Sequence, residues 1–265
     1  MATSATAVRW ETKSVEACGG TVRFEQAGTG PSLLVLPRDN GHPPANQFLD
    51  GLAGEFTVSH AWLPGFHGGD PEAWEWLGNV RDLAMVMRRA LGEIGAGPTA
   101  ILGFGFGGWL AAEMLAMGHA QFSNVVLVNP MGIQPKSEYI LDQFLISTEA
   151  YARAGFASDE SFDAAYGAEP EFEQLEGWET DREMASRLAW KPYMYDASLA
   201  GLLAGVPTPA LIVRGDSDHV VPAECAELYR AALPNARLEV VAGGHAVDLE
   251  QPEKLGTLIK QFLLP

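Results

Sequence analysis

The sequence predicts an α/β fold: a mostly parallel sheet with helices on both faces, interrupted by a helical insertion. Three observations predict it. Short runs rich in Val, Ile and Leu alternate with segments of helical spacing, the pattern of a parallel sheet covered on both sides. The alternation stops between residues 133 and 203, which hold no apolar strand-like run. It resumes at residue 206 and runs to the last helix-like segment.

Taken in order, KSVEACGGTVRFEQAG reads as two extended runs around a Gly-Gly turn. PSLLVLP is a short apolar run, a buried strand. Residues 46–54 look helical, and FTVSHAWLP is the next strand. Residues 77–94 place Leu77, Val80, Leu83, Ala84, Val86, Met87, Leu91 and Ile94 at helical spacing. TAILGF, GGWLAAEMLAMG and NVVLVNP then read as strand, helix and strand. After the insertion come VPTPALIV (strand), PAECAELYRAAL (helix), ARLEVVAG (strand) and PEKLGTLIKQFLL, a closing amphipathic helix. The expected boundaries are 1–132 and 204–265 for the sheet domain and 133–203 for the insertion. Aromatic residues crowd the insertion, Trp190 and Tyr193 among them. They fit a satellite core, and equally a lid lining an apolar pocket.

The totals narrow the function. With 265 residues and 47% hydrophobic content, the chain can bury a sizeable core. Its formal net charge of −17 repels phosphate backbones and anionic lipid heads, so neither nucleic acid nor a membrane surface is an expected partner. Cys18 and Cys225 form neither a disulfide framework nor a metal cluster and read as reduced thiols. MATSATAVRWETKS lacks a signal-peptide core, and no run approaches the ~20 apolar residues of a membrane span. The expectation is a cytoplasmic protein with a small-molecule substrate or ligand. A homo-oligomer is compatible with these totals.

One stretch carries chemistry. Residues 101–110 read ILGFGFGGWL, a strand that turns into a helix through a glycine-rich apex. Gly103 and Gly107 leave room for strand and helix backbones to approach, and Gly105 stands at the apex. The helix that follows aims free N–H groups at the carboxyl ends of the strands, where open parallel sheets bind ligands. A dinucleotide loop is a poor alternative. It belongs in the first βαβ unit, and Phe104 and Phe106 would crowd a pyrophosphate. The P-loop lysine is missing too, because Trp109 and Leu110 follow the last glycine. Neither nucleotide nor metal cofactor is expected.

Two later turns complete the pattern. IVRGDSDHVVP runs a strand into a turn holding Asp216 and Asp218, and VVAGGHAVDLEQP runs another into a Gly-Gly turn carrying His245. Apex, acid, histidine is the chain order of the α/β-hydrolase superfamily, which the sequence resembles from about residue 14 onward. GGWLAAEML, VVLVNPMGI, GDSDHVVP and GGHAVDLEQPE carry the likeness. It is strongest to members with a short helical lid that hydrolyse esters or carbon–carbon bonds of small organic acids. The resemblance puts Gly105 at the nucleophile position, Asp218 at the acid and His245 at the base. It makes the Phe106 N–H one oxyanion donor. Asp216 is the fallback acid or a turn residue.

The sequence departs from that family twice. Glycine has no atom that can attack a carbonyl, and loss of such a nucleophile leaves only residual catalysis, on the order of 10³–10⁴ over water. Upstream, Pro37 and Arg38 stand where the family has His-Gly, and Asp39 takes the place of the second oxyanion donor. A carboxylate beside a developing oxyanion is unfavourable unless it turns away or is masked. Arg38, Phe104, His67, Trp109, Trp190 and Tyr193 are candidate substrate-binding residues. For His67 the alternative is a solvated loop, for Trp109 the core. Asn40 and His42 are polar wall groups or exposed loop residues, and Glu250 is expected to support the turn into the last helix.

Three functions fit. The first is an enzyme without a serine, in which His245 and Asp218 act as a general base for hydrolysis or for lyase, isomerase or oxygenase chemistry. The second is a ligand-binding protein with an inherited acid–histidine pair. The third is an engineered nucleophile knockout, which accounts for Gly105 but not for Pro37-Arg38-Asp39.

Overall fold

The computed structural model describes residues 8–41, 43, 46–94 and 97–264. His42 lies outside the described residues. Eight strands form one sheet: β1 (Glu11–Ala17), β2 (Gly20–Ala27), β3 (Ser32–Leu36), β4 (Thr57–Trp62), β5 (Thr99–Phe104), β6 (Phe122–Val128), β7 (Ala210–Gly215) and β8 (Ala236–Val241). Their order is β1-β2-β4-β3-β5-β6-β7-β8. β1 and β2 form the antiparallel hairpin expected of the Gly-Gly stretch, and β2 runs antiparallel to β4. Every pairing from β4 to β8 is parallel.

Among the described residues the helices are α1 (Gln47–Ala53), α2 (Val80–Glu93), α3 (Phe106–Met117), α4 (Thr148–Ala154), α5 (Asp159–Tyr166), α6 (Phe172–Ala189), α7 (Leu199–Leu203), α8 (Ala223–Ala232), α9 (Val247–Glu250) and α10 (Pro252–Leu263). The strand period of two assigns residues to the faces. In β3, Leu33 and Val35 join Phe48, Leu52, Leu255 and Ile259 on the side of α1 and α10. Leu34 and Leu36 join Leu83, Met87, Leu110 and Met114 on the side of α2 and α3. Both faces are buried, which is why these strands read as unbroken apolar runs. The first helices start where a polar cap meets an apolar run: Asn46 accepts from the Leu49 N–H and Asn79 from the Asp82 N–H.

The insertion is helical, as its lack of strand-like runs requires. Ser147 and Ser158 cap α4 and α5 through the Ala150 and Ser161 N–H groups. Phe156, Phe162 and Trp178 bury together with Ala152 and Ala246 as a small separate core, so these aromatics pack on one another. Tyr151 on α4, Met184 and Leu188 on α6, and Leu199 and Leu203 on α7 belong to the main core with Leu110 and Tyr229, which seats the insertion on the sheet domain. Among the described residues no helix is long and apolar enough to cross a membrane.

Candidate active site

β5 ends at Phe104 and α3 begins at Phe106, so Gly105 alone makes the turn. Its φ of 50° and ψ of −112° are open to glycine and strained for any other residue. Its carbonyl accepts from the N–H groups of Gly108, Trp109 and Met131. The flanking glycines are there for space: a Cβ on Gly107 would lie 2.3 Å from the Pro37 carbonyl oxygen, and one on Gly103 equally near that of Gly107. Phe106 opens α3, and its N–H is a first-turn donor without an intrahelical acceptor.

The acid and histidine turns converge on this apex. His245 Nδ1 lies 2.9 Å from Asp218 Oδ2, and the side chains are 4% and 5% exposed. Asp218 Oδ1 accepts from the N–H groups of Val220 and Val221, both at 2.8 Å, which fixes the carboxylate's orientation. With Nδ1–H donating to Asp218, Nε2 is left with its lone pair, and it is buried without a hydrogen-bond partner. Asn129, at the end of β6 with φ 48°, stitches the two turns together. Its amide donates to the carbonyls of Gly244 and His245 and accepts from the Gly215 N–H. Glu250 accepts from the N–H groups of Gly244 and Ala157, so it ties the histidine turn to the insertion. Asp216 accepts from Gly243 N–H and Ser217 Oγ, which lower its pKa; it belongs to its turn and does not touch His245.

The imidazole stands unusually close to the apex. A Cβ on Gly105 would lie 2.6 Å from His245 Nε2 and 3.1 Å from Cε1. The ring occupies the space a side chain at 105 needs.

The second departure also has a structural form. Asp39 is buried, and its Oδ2 accepts from Tyr151 Oη at 2.8 Å and from Gln143 Nε2 at 3.0 Å. The carboxylate is thus drawn toward the insertion. Arg38 pairs with Asp248 on α9, both buried, and its guanidinium lies 5.6 Å from the Phe104 ring centre. Burial and the neighbouring Asp39 push the Tyr151 hydroxyl well above its usual pKa, so it stays a donor.

Arg38, Asn40, Tyr151, Phe156, Tyr166 and His245 are among the walls of an enclosed cavity of about 10 Å³, the room of roughly one water. Several sequence candidates lie elsewhere. Phe104 is core, edge-on to Phe48, and Trp109 packs on Phe106 and donates to buried Glu113. Trp190 is 54% exposed and stacks on Phe144. Tyr193 Oη bonds the Leu141 carbonyl and the Gln143 N–H, pinning the strap ahead of α4. His67 faces Gly177 on α6 and donates its N–H to Asp181 at 2.8 Å. Sequence reasoning missed Asn129, whose signal was its place directly after a strand, in NVVLVNP; Tyr151 and Tyr166 stood among the insertion's aromatics with nothing to single them out. Among the described residues no three His, Cys, Asp or Glu side chains are grouped as metal ligands.

Asp181 sits beside this network. Burial, opposed by the His67 N–H and reinforced by the charge of Asp39, pushes its pKa up to about 7. Between the unfolded value near 4 and that folded value, the native state holds the extra proton. Its stability therefore falls as pH rises through this window, and the penalty is complete above pH 7. Asp181→Asn should raise Tm more at pH 8 than at pH 5. An equal change at both pH values would contradict the assignment.

Comparison with known proteins agrees with this architecture. The Alpha/beta hydrolase family matches residues 29–256. The polyketide synthase ThaQ of Burkholderia thailandensis is 27% identical over 92% of this chain, which spans only 12% of that protein's length. The putative carbamate hydrolase RutD of Cronobacter sakazakii is 27% identical over 68% of this chain and 70% of its own. A serine hydrolase from the polyaromatic hydrocarbon-degrading bacterium Cycloclasticus zankles superposes with a TM-score of 0.79 at 19% identity, covering 96% of this chain and 98% of that one. With the family matched over most of its length and the strand order and converging turns in place, the chain belongs to the alpha/beta hydrolase family.

Proposed function

We propose that the protein is an enzyme of this family that works without a covalent serine, using His245 as a general base on a small apolar or aromatic substrate. The observation that carries the reading is the His245 ring: Nδ1 is held by Asp218, while Nε2 is buried and unpartnered beside Gly105, and the residue itself is one wall of the small cavity. In the hydrolytic form, Nε2 takes a proton from water as the oxygen attacks a carbonyl carbon. Asp218 stabilises the imidazolium, which returns the proton to the leaving group as its bond breaks. The Phe106 N–H and the positive end of α3 face the developing oxyanion. Asp39 supplies the second backbone donor, with its carboxylate held off by Tyr151 and Gln143. The same base serves proton abstraction for a lyase, isomerase or cofactor-free oxygenase step. The insertion acts as a lid, since Tyr151, Phe156 and Tyr166 close the cavity and must shift to admit a substrate. Cys18 and Cys225, both unpaired, fit a reducing cytoplasm. The name of the carbamate hydrolase relative supports attack at a carbonyl.

The test is turnover of p-nitrophenyl esters and vinylogous diketones by the unmodified protein and by Gly105→Ser. The unmodified protein should turn over a member of the panel, resist organophosphates and show no acyl adduct by mass spectrometry. Gly105→Ser should be slower, because its Cβ displaces Nε2. Turnover by Gly105→Ser alone would mean an inherited site lacking its nucleophile, and a ligand-binding or knockout account would replace this one.

A further inference from the structure

Four polar atoms at this site are buried without a hydrogen-bond partner: Asp39 Oδ1, Asn40 Oδ1, His245 Nε2 and Arg38 Nε. Buried polar groups are almost always paired, so a cluster of orphans marks where a ligand's polar atoms go. Three of the four are acceptors, given the Nδ1–H tautomer of His245. Arg38, Asn40 and His245 line one cavity, and Asp39 is joined to it through Tyr151, another wall residue.

The charges lean the same way. Arg38 is answered by Asp248, and Asp218 is taken up by the His245 ring and the Val220 and Val221 N–H groups. Asp39 is held only by neutral donors, the Tyr151 hydroxyl and the Gln143 amide. Its second oxygen, buried and unpartnered, is an acceptor that an N–H or O–H donor satisfies and a second carboxylate does not. The rings of Tyr151, Phe156 and Tyr166 offer apolar walls and π-faces to the remainder of the ligand.

We propose that Asp39 and Asn40 make this site a receptor for the hydrogen-bond-donating end of its substrate, an amine or hydroxyl group on an aryl or apolar body, and exclude carboxylates. The assignment rests on the reading of the His245 cavity as the substrate site. Position 39 is thereby a specificity determinant: the residue that breaks the family's oxyanion loop selects for donor substrates.

Three size-matched probes test it by isothermal titration calorimetry: benzylamine, benzyl alcohol and benzoate. The unmodified protein should bind benzylamine with one-to-one stoichiometry, at least tenfold more tightly than benzoate, with benzyl alcohol between them. Asp39→Asn should reduce that preference at least tenfold. Asn40→Asp, at a less buried position that tolerates change, should increase it and carries the test if Asp39→Asn does not fold. His245→Ala should keep the preference whatever its turnover, so failure of the general-base reading is distinguishable from failure of this one. Equal or tighter binding of benzoate, a preference unmoved by both Asp39→Asn and Asn40→Asp, or no binding of either donor probe would each overturn the proposal.

Discussion

Asp218→Asn is expected to be nearly as damaging as His245→Ala, each lowering kcat/KM by about 10²–10⁴. The alanine variant removes the base. The asparagine variant leaves it in place and blocks it, for a reason readable in the hydrogen bonds. Asp218 Oδ1 accepts from two backbone N–H groups, and Oδ2 faces His245 Nδ1. An asparagine has one acceptor oxygen, and the two N–H groups of Val220 and Val221 claim it. Its NH₂ then points at Nδ1, which must accept. The ring's proton moves to Nε2, and the lone pair facing Gly105 is lost. The imidazole tautomer, read from ¹⁵N shifts, should invert in Asp218→Asn while the fold is retained. The double variant should be no slower than either single one, because both remove the same function. An Asp218→Asn protein with full activity and an inverted tautomer would sink the general-base reading.

The sheet and the three turns were legible in the sequence because each is a local signal, while their convergence was implied by the resemblance to the α/β-hydrolase superfamily. Alternating buried runs such as SLLVL and NVVLV need only a short window, and each candidate residue was flanked by its own turn: Gly103 and Gly107 around Gly105, Asp216 near Asp218, Gly243 and Gly244 before His245. What the side chains do with distant partners was not legible. Asp39 is tied to Gln143 and Tyr151, about a hundred residues on, and nothing around it announces that. Aromatic density in residues 133–203 suggested pocket walls. Yet Phe162 and Trp178 form the insertion's own core, Trp190 lies outside it, and Tyr151, Phe156 and Tyr166 reach the cavity. Composition cannot separate these fates, because a stacked aromatic and a pocket aromatic have the same sequence.

Missing, too, was any hint of how Gly105 and His245 share space. The lack of a side chain at 105 and the advance of the imidazole are two halves of one arrangement. A Cβ at 105 would meet Nε2 at 2.6 Å, so a side chain there requires the imidazole to shift.

Breaking the Arg38–Asp248 pair should give the largest loss of stability. Both side chains are buried, and they join the end of β3 to α9, three residues beyond His245. Removing one partner of a buried pair takes away the other's counter-ion, at a cost of about 3–5 kcal/mol. Arg38→Ala also removes the guanidinium from the Phe104 ring, whereas Asp248→Ala leaves that contact in place. At roughly 2–4 °C per kcal/mol for a chain near this size, either variant should lower Tm by about 6–20 °C. Replacing both with apolar residues, as in Arg38→Met with Asp248→Leu, removes both charges and should recover most of the loss. That recovery separates an electrostatic penalty from a packing defect: a double variant as unstable as the worse single one would mean the pair matters for shape alone. Since α9 follows the histidine turn directly, the single variants should also loosen His245. In thermally stable solution below the new Tm, their residual activity should fall further than their folded fraction, and the double variant should restore it in step with Tm.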